Sequence, residues 1–298
     1  MNTLGLVISP TAGNGRGVVV GREVARRLSG TGSRVIPLGA PTRAQTSDLI
    51  SRAVTGGLVD GIVTIGGDGT VHLAAQHLVG TDMVLGHVPF GTGNDIARDL
   101  GLTTRWESGL DRLMAALAAR TTTVIDVMEI TGGHGTVYGL AIVSAGLDAI
   151  VNERANTYRR PHGHARYLRA LLAELPRYRP RTYRLEVNGR VNTAPAVIAA
   201  VANLRSFGGG LTLSPNSHWD DGVLEVLVAK PLSLVEFATI FPTVYRGSHV
   251  DSDIVHVHST DRVVIDSLEP VTAMVDGEEI GPLPITVRAR PQALRFLA

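Results

Sequence analysis

Apolar and polar positions fall into two textures along the chain. Through the first 100 or so residues, short β-branched runs alternate with stretches of helical period. Strands are predicted at 4–8, 34–37, 61–65 and 83–88, and helices at 21–28, 45–54, 71–78 and from near Asn94. Strand following helix following strand predicts a parallel sheet covered by helices. After about Thr123 the alternation shortens to period two. Residues 124–130 and 137–145 flank the turn cluster Gly132-Gly133-His134-Gly135, and more strands are predicted at 183–187, 196–202, 223–228, 263–265 and 272–275. Two helical intervals, 164–175 and 234–245, interrupt this second, mainly antiparallel β part.

At 298 residues the chain is longer than one compact domain usually is, so two domains are expected. A formal net charge of +1, from 28 Lys and Arg against 27 Asp and Glu, excludes a dedicated nucleic-acid binder, which needs a broad basic excess. The absence of cysteine removes disulfides, thiolate nucleophiles and Cys-based metal sites. No basic head precedes the apolar start, Pro10 ends it early, and no later apolar run is long enough to span hydrocarbon. Cytoplasmic residence is the expectation.

Candidate chemistry concentrates where predicted strands end. Ile62-Val63-Thr64-Ile65 runs into Gly66-Gly67-Asp68-Gly69-Thr70 and then a helix, the carboxyl-end position at which open α/β sheets bind ligands. Glycines let backbone approach a ligand, and a helix N-terminus favours an anion such as phosphate. A carboxylate facing phosphates is repelled unless a cation lies between them, so Asp68 points to a magnesium nucleotide; the plain alternative is a turn in which Asp68 caps the helix. One strand later the pattern recurs in Pro89-Phe90-Gly91-Thr92-Gly93-Asn94-Asp95-Ile96-Ala97-Arg98, where Asp95 could equally be a first-turn acid paired with Arg98. A further glycine loop, Ser9-Pro10-Thr11-Ala12-Gly13-Asn14-Gly15, follows the first strand, comes first in chain order and is neither a Walker A sequence nor a G-x-G-x-x-G fingerprint.

These loops together resemble the soluble lipid kinases that share the diacylglycerol kinase catalytic domain, which include sphingosine and ceramide kinases. The pentad 66–70 alone would also suit NAD kinases and phosphofructokinases; Gly91-Thr92-x-Asn94-Asp95 selects the lipid kinases. The resemblance continues through Ser144-Ala145-Gly146-Leu147-Asp148-Ala149 and Asp220-Asp221-Gly222-Val223-Leu224 to Asp276-Gly277-Glu278. It implies an α/β plus mainly β protein. A Rossmann-like, ATP-binding α/β domain (residues 1–124) would be followed by an antiparallel β-sandwich-like domain for the acceptor (residues 125–298), with ATP and the acceptor meeting between them. The chain departs from the family at Ser9, which stands where asparagine usually precedes proline, and at Thr46-Ser47, in place of a common Gly-Asp.

The activity implied is transfer of the γ-phosphate of Mg-ATP to a hydroxyl of diacylglycerol or a similar lipid. Alternatives are a kinase for a sphingoid base, phosphatidylglycerol or another amphiphilic alcohol, a NAD kinase, or a non-catalytic nucleotide sensor. Phosphoryl transfer needs positioning, charge neutralisation and a group to accept the acceptor's proton. By resemblance Glu278 is that base, with Asp68 and Asp95 serving the Mg-nucleotide and its hydrogen-bond network. Nucleotide contacts are expected from Ser9, Pro10, Thr11, Ala12, Gly13, Thr42, Gly66, Gly67, Asp68, Gly69, Thr70, Thr92 and Asn94. In similar bacterial lipid kinases the 220–222 loop holds a second, structural magnesium; by position its ligands are Asp221 and the carbonyls of His218 and Val223.

The expected acceptor slot is apolar, bordered by 144–149 and by Phe207-Gly208-Gly209-Gly210. The arginine-rich stretch 154–184 reads first as a helix packed on the β domain by Tyr167, Leu168, Leu171, Leu172 and Leu175. Arg159, Arg160, Arg166 and Arg169 are a candidate for transient contact with the inner membrane face. His72, His87 and His134 lack metal-ligand spacing and are expected to be structural.

Overall fold

A computed structural model describes residues 1–10, 12–158 and 164–297. The chain divides into two compact units, residues 1–125 with 292–298, and residues 126–291. The strands Thr122–Gly132 and Ile285–Leu297 both run from one unit into the other. Residues 292–298, read from sequence with the β-rich part, therefore belong to the first unit.

The first unit is a parallel sheet in the order Arg34–Pro37, Thr3–Ile8, Gly61–Gly66, Val84–Pro89, closed by Arg295 and Phe296 of the last strand beside Val84 and Leu85. Gly61–Gly66 and Val84–Pro89 are buried at every position. That explains their continuous apolar runs: a parallel strand covered on both faces has no solvent side to alternate with. Helices Gly17–Ser29, Arg43–Thr55, Asp68–Leu78 and Trp106–Ala119 supply the cover. The last lay in a stretch given no separate helix by its sequence. The helix expected from Asn94 is one short turn, Asp95–Asp99, entered through a left-handed Asn94 (φ 55°).

Besides the two-stranded ribbon of Ser206–Phe207 and Leu211–Thr212, the second unit holds two antiparallel sheets over a shared core that includes Met128, Val143, Tyr183, Val201, Val226, Val263 and Val275. Two predicted strands turn out to be two each. Residues 137–145 divide into Gly135–Gly139 in one sheet and Ile142–Gly146 in the other, and residues 196–202 divide between Arg190–Ala196 and Ile198–Ala202 in the same way. At the first break the Asp276 carboxylate accepts the backbone N–H groups of Leu140, Ala141 and Ile142, at 2.8, 2.8 and 3.1 Å. Backbone donors leaving one ladder are met by a side chain before the chain joins the next, which satisfies the pairing demand on buried backbone. Val255–Thr260 and Ile285–Leu297 were not anticipated.

Among the described residues no helix is long and apolar enough to cross a membrane. The helices Leu147–Thr157 and His164–Glu174 form a satellite core with Val197, Phe237 and Phe241. Tyr167 and Leu171 face inward there, but Leu168 and Leu172 are 38 % and 60 % exposed. The single apolar face read from helical spacing is thus two: adjacent leucines one position apart point about 100° from each other on a helix.

Candidate active site

Three glycine loops meet at the carboxyl end of the parallel sheet, held by contacts that leave no room for larger residues. Gly66 ends its strand and accepts a hydrogen bond at its carbonyl from the Phe90 N–H at 2.7 Å. A Cβ on Gly91 would sit 2.3 Å from the Gly67 Cα and 2.8 Å from Asn94 Oδ1, so the second and third loops touch backbone to backbone. A Cβ on Gly13 would meet the Phe90 ring at 2.3 Å, which brings the first loop onto the same scaffold, with the Arg16 guanidinium 5.9 Å from the Phe90 ring centre.

Side chains finish the stitching. Asp68 Oδ1 accepts the Ile96 N–H at 2.9 Å, tying the pentad to the start of the short helix. Asn94 closes its own loop by accepting from Gly91 N–H (3.0 Å) and donating to the Gly91 carbonyl (3.1 Å). Asp95 is buried and pairs with Arg98, whose guanidinium also donates to the Gly93 carbonyl at 3.0 Å. Asp95 therefore shapes the loop through Arg98. The ion pair weighed as its plain alternative is present.

Beside these loops lies a groove of about 350 Å³ lined by Ser9, Pro10, Thr42, Gly67, Gly69 and Thr70, all expected at a nucleotide site, and also by Arg43. Thr42 caps the helix Arg43–Thr55, accepting the Gln45 N–H. Arg43, missed in the sequence, donates to the Gly69 carbonyl at 3.3 Å and brings a cation to the groove wall. Its position immediately after Thr42 was the available signal. Ser9, whose N–H is held by the Ile65 carbonyl, keeps the first loop against the pentad strand despite its departure from the usual asparagine. Thr46, the other departure, is buried and spends its hydroxyl on the Thr42 and Ala40 carbonyls. Thr92 is exposed, and Thr11 lies outside the described residues.

Among the described residues no three or more His, Asp or Glu side chains stand close enough to hold a metal ion by themselves. Magnesium needs no such cluster, since it keeps waters and takes one or two carboxylates plus substrate phosphates. His87 is buried against the Thr64 hydroxyl, and burial lowers its pKa to about 4, so it packs as a neutral ring.

In the second unit, Glu278 follows a two-residue turn whose Asp276 and Gly277 have φ of 49° and 86°, the primed geometry an Asp-Gly pair favours. The Asp276 carboxylate, bound by three N–H groups, and Asn152, which donates to the Gly277 carbonyl at 2.9 Å, hold this turn. Glu278 is half-buried in a groove of about 460 Å³ shared with Glu153, Tyr178, Arg181 and Met274. Around the corner formed by Gly146 (φ 124°) lies a separate, nearly all-apolar cavity of about 120 Å³, bordered by Leu147, Asp148, Tyr167, Phe207, Phe237 and Phe241. Both segments expected to border an acceptor slot contribute to it. A Cβ at Gly146 would strike the Val197 carbonyl at 2.5 Å and the Tyr183 hydroxyl at 2.7 Å, so only glycine makes this corner.

The 219–223 loop hangs on Asp126, a buried carboxylate absent from the sequence reading: its Oδ2 accepts the Gly222 N–H at 2.6 Å, and its own N–H donates to the Trp219 carbonyl. Asp221 Oδ1 accepts from the Val223 N–H at 2.9 Å, an Asx turn. In the arginine-rich segment, Arg154 pairs with Glu174 and Arg169 stacks 4.3 Å from the Tyr158 ring centre. Arg166 is half-buried, and Arg159 and Arg160 lie outside the described residues.

Comparison with known proteins agrees with this arrangement. Residues 3–146 match the diacylglycerol kinase catalytic domain, and residues 141–298 match the YegS C-terminal NAD kinase beta sandwich-like domain. A diacylglycerol kinase of Mycobacterium tuberculosis (strain ATCC 25618 / H37Rv) is 35 % identical over 97 % of this chain and 93 % of its own. The chain belongs to the diacylglycerol kinase family. A family member from Bacillus subtilis (strain 168), also named diacylglycerol kinase, is 28 % identical over 76 % of this chain and 73 % of its own. Two solved structures share the fold. A diacylglycerol kinase from Bacillus anthracis superposes with a TM-score of 0.72 at 17 % identity, covering 99 % of this chain and 96 % of that one. An NAD kinase from Archaeoglobus fulgidus in complex with ATP gives 0.56 at 14 % identity, covering 100 % and 94 %.

Proposed function

We propose that this phosphotransferase of the diacylglycerol kinase family moves the γ-phosphate of Mg-ATP to the hydroxyl of diacylglycerol or a similar lipid alcohol. The observation that carries the nucleotide half is the glycine-loop cluster, in which Asp68 is anchored to the Ile96 N–H beside a groove lined by Ser9, Pro10, Thr42, Gly67, Gly69 and Thr70. Phosphoryl transfer asks the protein chiefly for positioning and charge neutralisation. Ala12, Gly13, Gly66 and Asn94 keep the loops in place, with Thr11 and Thr92 as further contacts, and Arg43 offsets phosphate charge. Bound magnesium would neutralise phosphate oxygens, and Asp68 is the carboxylate assigned to it. Asp95 acts through Arg98 on the shape of the loop. Glu278 accepts the acceptor hydroxyl's proton, the turn beneath it fixed by Asp276.

The apolar cavity behind Leu147 supports a lipid acceptor over a small polar alcohol: it matches an alkyl chain and offers almost nothing to a polyol. A second, structural magnesium on Asp221 with the carbonyls of His218 and Val223 belongs to the same proposal, and a manganese soak showing no anomalous signal there would remove it. Transient contact with a membrane surface would bring the acceptor. The test of the nucleotide half is calorimetric titration of Mg-ATP into the protein and its Asp68→Asn variant. Saturable binding that weakens at least tenfold in the variant is expected; binding unchanged by the substitution would take Asp68 out of the site.

A further inference from the structure

The helix Leu234–Val244 is apolar on more of its circumference than the protein covers. At about 100° per residue, an apolar arc of roughly 220° runs from Ile240 round to Val235, leaving Thr239, Thr243 and Glu236 on the remainder. One sector of that arc, Phe237, Ile240, Phe241 and Val244, lines the apolar cavity. The other faces solvent: Leu234, Val235 and Tyr245 are 54 %, 76 % and 46 % exposed, with Ala238 and Pro242 exposed between them. A stripe about 100° wide is enough to seat a surface helix on its core, so the outer sector is surplus to the fold and marks an interaction surface. The helix His164–Glu174 repeats the arrangement, with Tyr167 and Leu171 lining the cavity and Leu168 and Leu172 exposed on its other side.

Charge identifies what covers these faces. Glu236, the only acid of the first helix, lies away from the outer sector and is held in a capping box with Ser233, at 2.7 and 3.2 Å. Glu174, the only acid of the second, pairs with Arg154. Arg246, next to Tyr245, and Arg169, between Leu168 and Leu172, are both exposed. A second copy of the chain laid here would set its own arginines against these with no acid between. A leaflet of anionic phospholipid instead offers alkyl chains to the apolar sector and phosphates to the arginines.

Resting on the reading of the cavity as the acceptor site, we propose that the outer sector of Leu234–Val244, with Leu168 and Leu172, docks the protein on an anionic phospholipid bilayer. At 11 residues the helix is too short to span hydrocarbon; it lies in the plane of the interface, apolar sector down. The anchor is thus the apolar helix face, and the arginines add attraction rather than carrying the contact as the sequence alone suggested. Docked in this way, Leu234–Val244 is the partition between bilayer and cavity, with lipid on one side and the acceptor's alkyl chain on the other. A row of rings crosses that partition: Phe237 stacks on Phe241 at 5.2 Å between centres, and Phe241 meets Tyr245 edge-on at 5.9 Å. Tyr245 ends the row on the exposed side, where an apolar ring with a polar tip suits the head-group level.

The experiment is co-sedimentation of the full chain, without ATP, with vesicles of phosphatidylcholine alone and of phosphatidylcholine and phosphatidylglycerol in equal parts. Wild type, the double variant Leu234→Gln/Val235→Gln and Arg246→Gln are compared, each with its melting temperature recorded. Neither Leu234 nor Val235 lines the cavity, and glutamine keeps the helix propensity. Wild type should bind the mixed vesicles several-fold more tightly than phosphatidylcholine, a preference that Arg246→Gln narrows. The double variant should bind mixed vesicles at least about tenfold more weakly at an unchanged melting temperature, because two apolar side chains no longer leave water on docking. Equal binding by wild type and the double variant would overturn the docking face, and so would a wild type that binds neither vesicle. A wild-type dimer in sedimentation equilibrium that the double variant dissolves would assign the face to a second copy and overturn the bilayer as its occupant. With Mg-ATP, the double variant should phosphorylate diacylglycerol in vesicles at least about tenfold more slowly, yet water-dispersed dibutyrylglycerol at the wild-type rate; an equal loss on both would contradict docking. Vesicle binding lost in the double variant, with no transfer to either acceptor by wild type, would leave the docking face standing and remove the acceptor reading.

Discussion

Replacing Gly91 by alanine adds one methyl group where two glycine loops touch. The new Cβ would lie 2.3 Å from the Gly67 Cα, 2.9 Å from its nitrogen and 2.8 Å from Asn94 Oδ1. Backbone atoms cannot rotate aside as a side-chain tip can, so the contact must open by about 1 Å to reach an ordinary carbon separation near 3.5 Å. Overpacking of this kind costs about 1–3 kcal/mol. The movement falls on the Asp68 and Asn94 loops, and a displacement of about 1 Å in a positioning group costs on the order of 10²-fold in turnover. Gly91→Ala should therefore lower kcat/KM by about that factor with a melting temperature only a few degrees below wild type. Gly133→Ala, whose Cβ would meet nothing within 4 Å, is the matched control. Initial rates over a Mg-ATP series, read beside a thermal melt, make the comparison. Normal kinetics in Gly91→Ala would refute the argument that loop contact sets the site.

Asp276→Ala removes the acceptor of three backbone N–H bonds at the sheet switch. A loss of about 3–6 kcal/mol is expected from denaturant unfolding, at about 1–2 per abandoned donor; a loss below about 1 kcal/mol would show that water replaces the carboxylate. Asp148 makes stability depend on pH. Its folded pKa, near 6, stands above the ordinary 3.8 because of burial, so the native state holds the proton more tightly than the unfolded one. Stability from this group is greatest below about pH 4, falls as pH rises toward 6 and is level above, a span of at most about 3 kcal/mol. Asp148→Asn cannot titrate, so its melting temperature relative to wild type should climb by several degrees between pH 4 and pH 7. A difference constant across that range would contradict an elevated pKa. Asp68→Asn should abolish phosphate transfer with little change in melting temperature, and a folded variant with near-normal activity would remove Asp68 from the mechanism.

The parallel half was largely legible because fully buried strands such as Gly61–Gly66 and Val84–Pro89 are continuous apolar runs ended by glycine, and the glycine loops mark the ligand end of the sheet. The pentad and the Asn94-Asp95 segment are each short motifs that follow successive predicted strands, so their partnership through Gly67 and Gly91 could be suspected before it was seen. The β half was legible in part as strands, Val255–Thr260 and Ile285–Leu297 being missed, but not as sheets. Whether residues 137–145 form one strand or two depends on Asp276, more than 130 residues away, and no local pattern encodes that pairing. A separation of 96 residues in the same way hid Asp126 beneath the 219–223 loop. Asp148 could be placed beside the acceptor slot from its neighbours in sequence; that one of its oxygens lacks a partner is visible only once Ser144 and the cavity wall are in position.

The most direct test is transfer of label from γ-labelled ATP, with magnesium, to diacylglycerol and other lipid alcohols in mixed micelles by wild type and Glu278→Gln. The proposed function predicts a labelled lipid that disappears in Glu278→Gln, with Mg-ATP binding and melting temperature retained. Label in no lipid alcohol would contradict lipid phosphorylation, and undiminished transfer by Glu278→Gln would show that another group takes the proton.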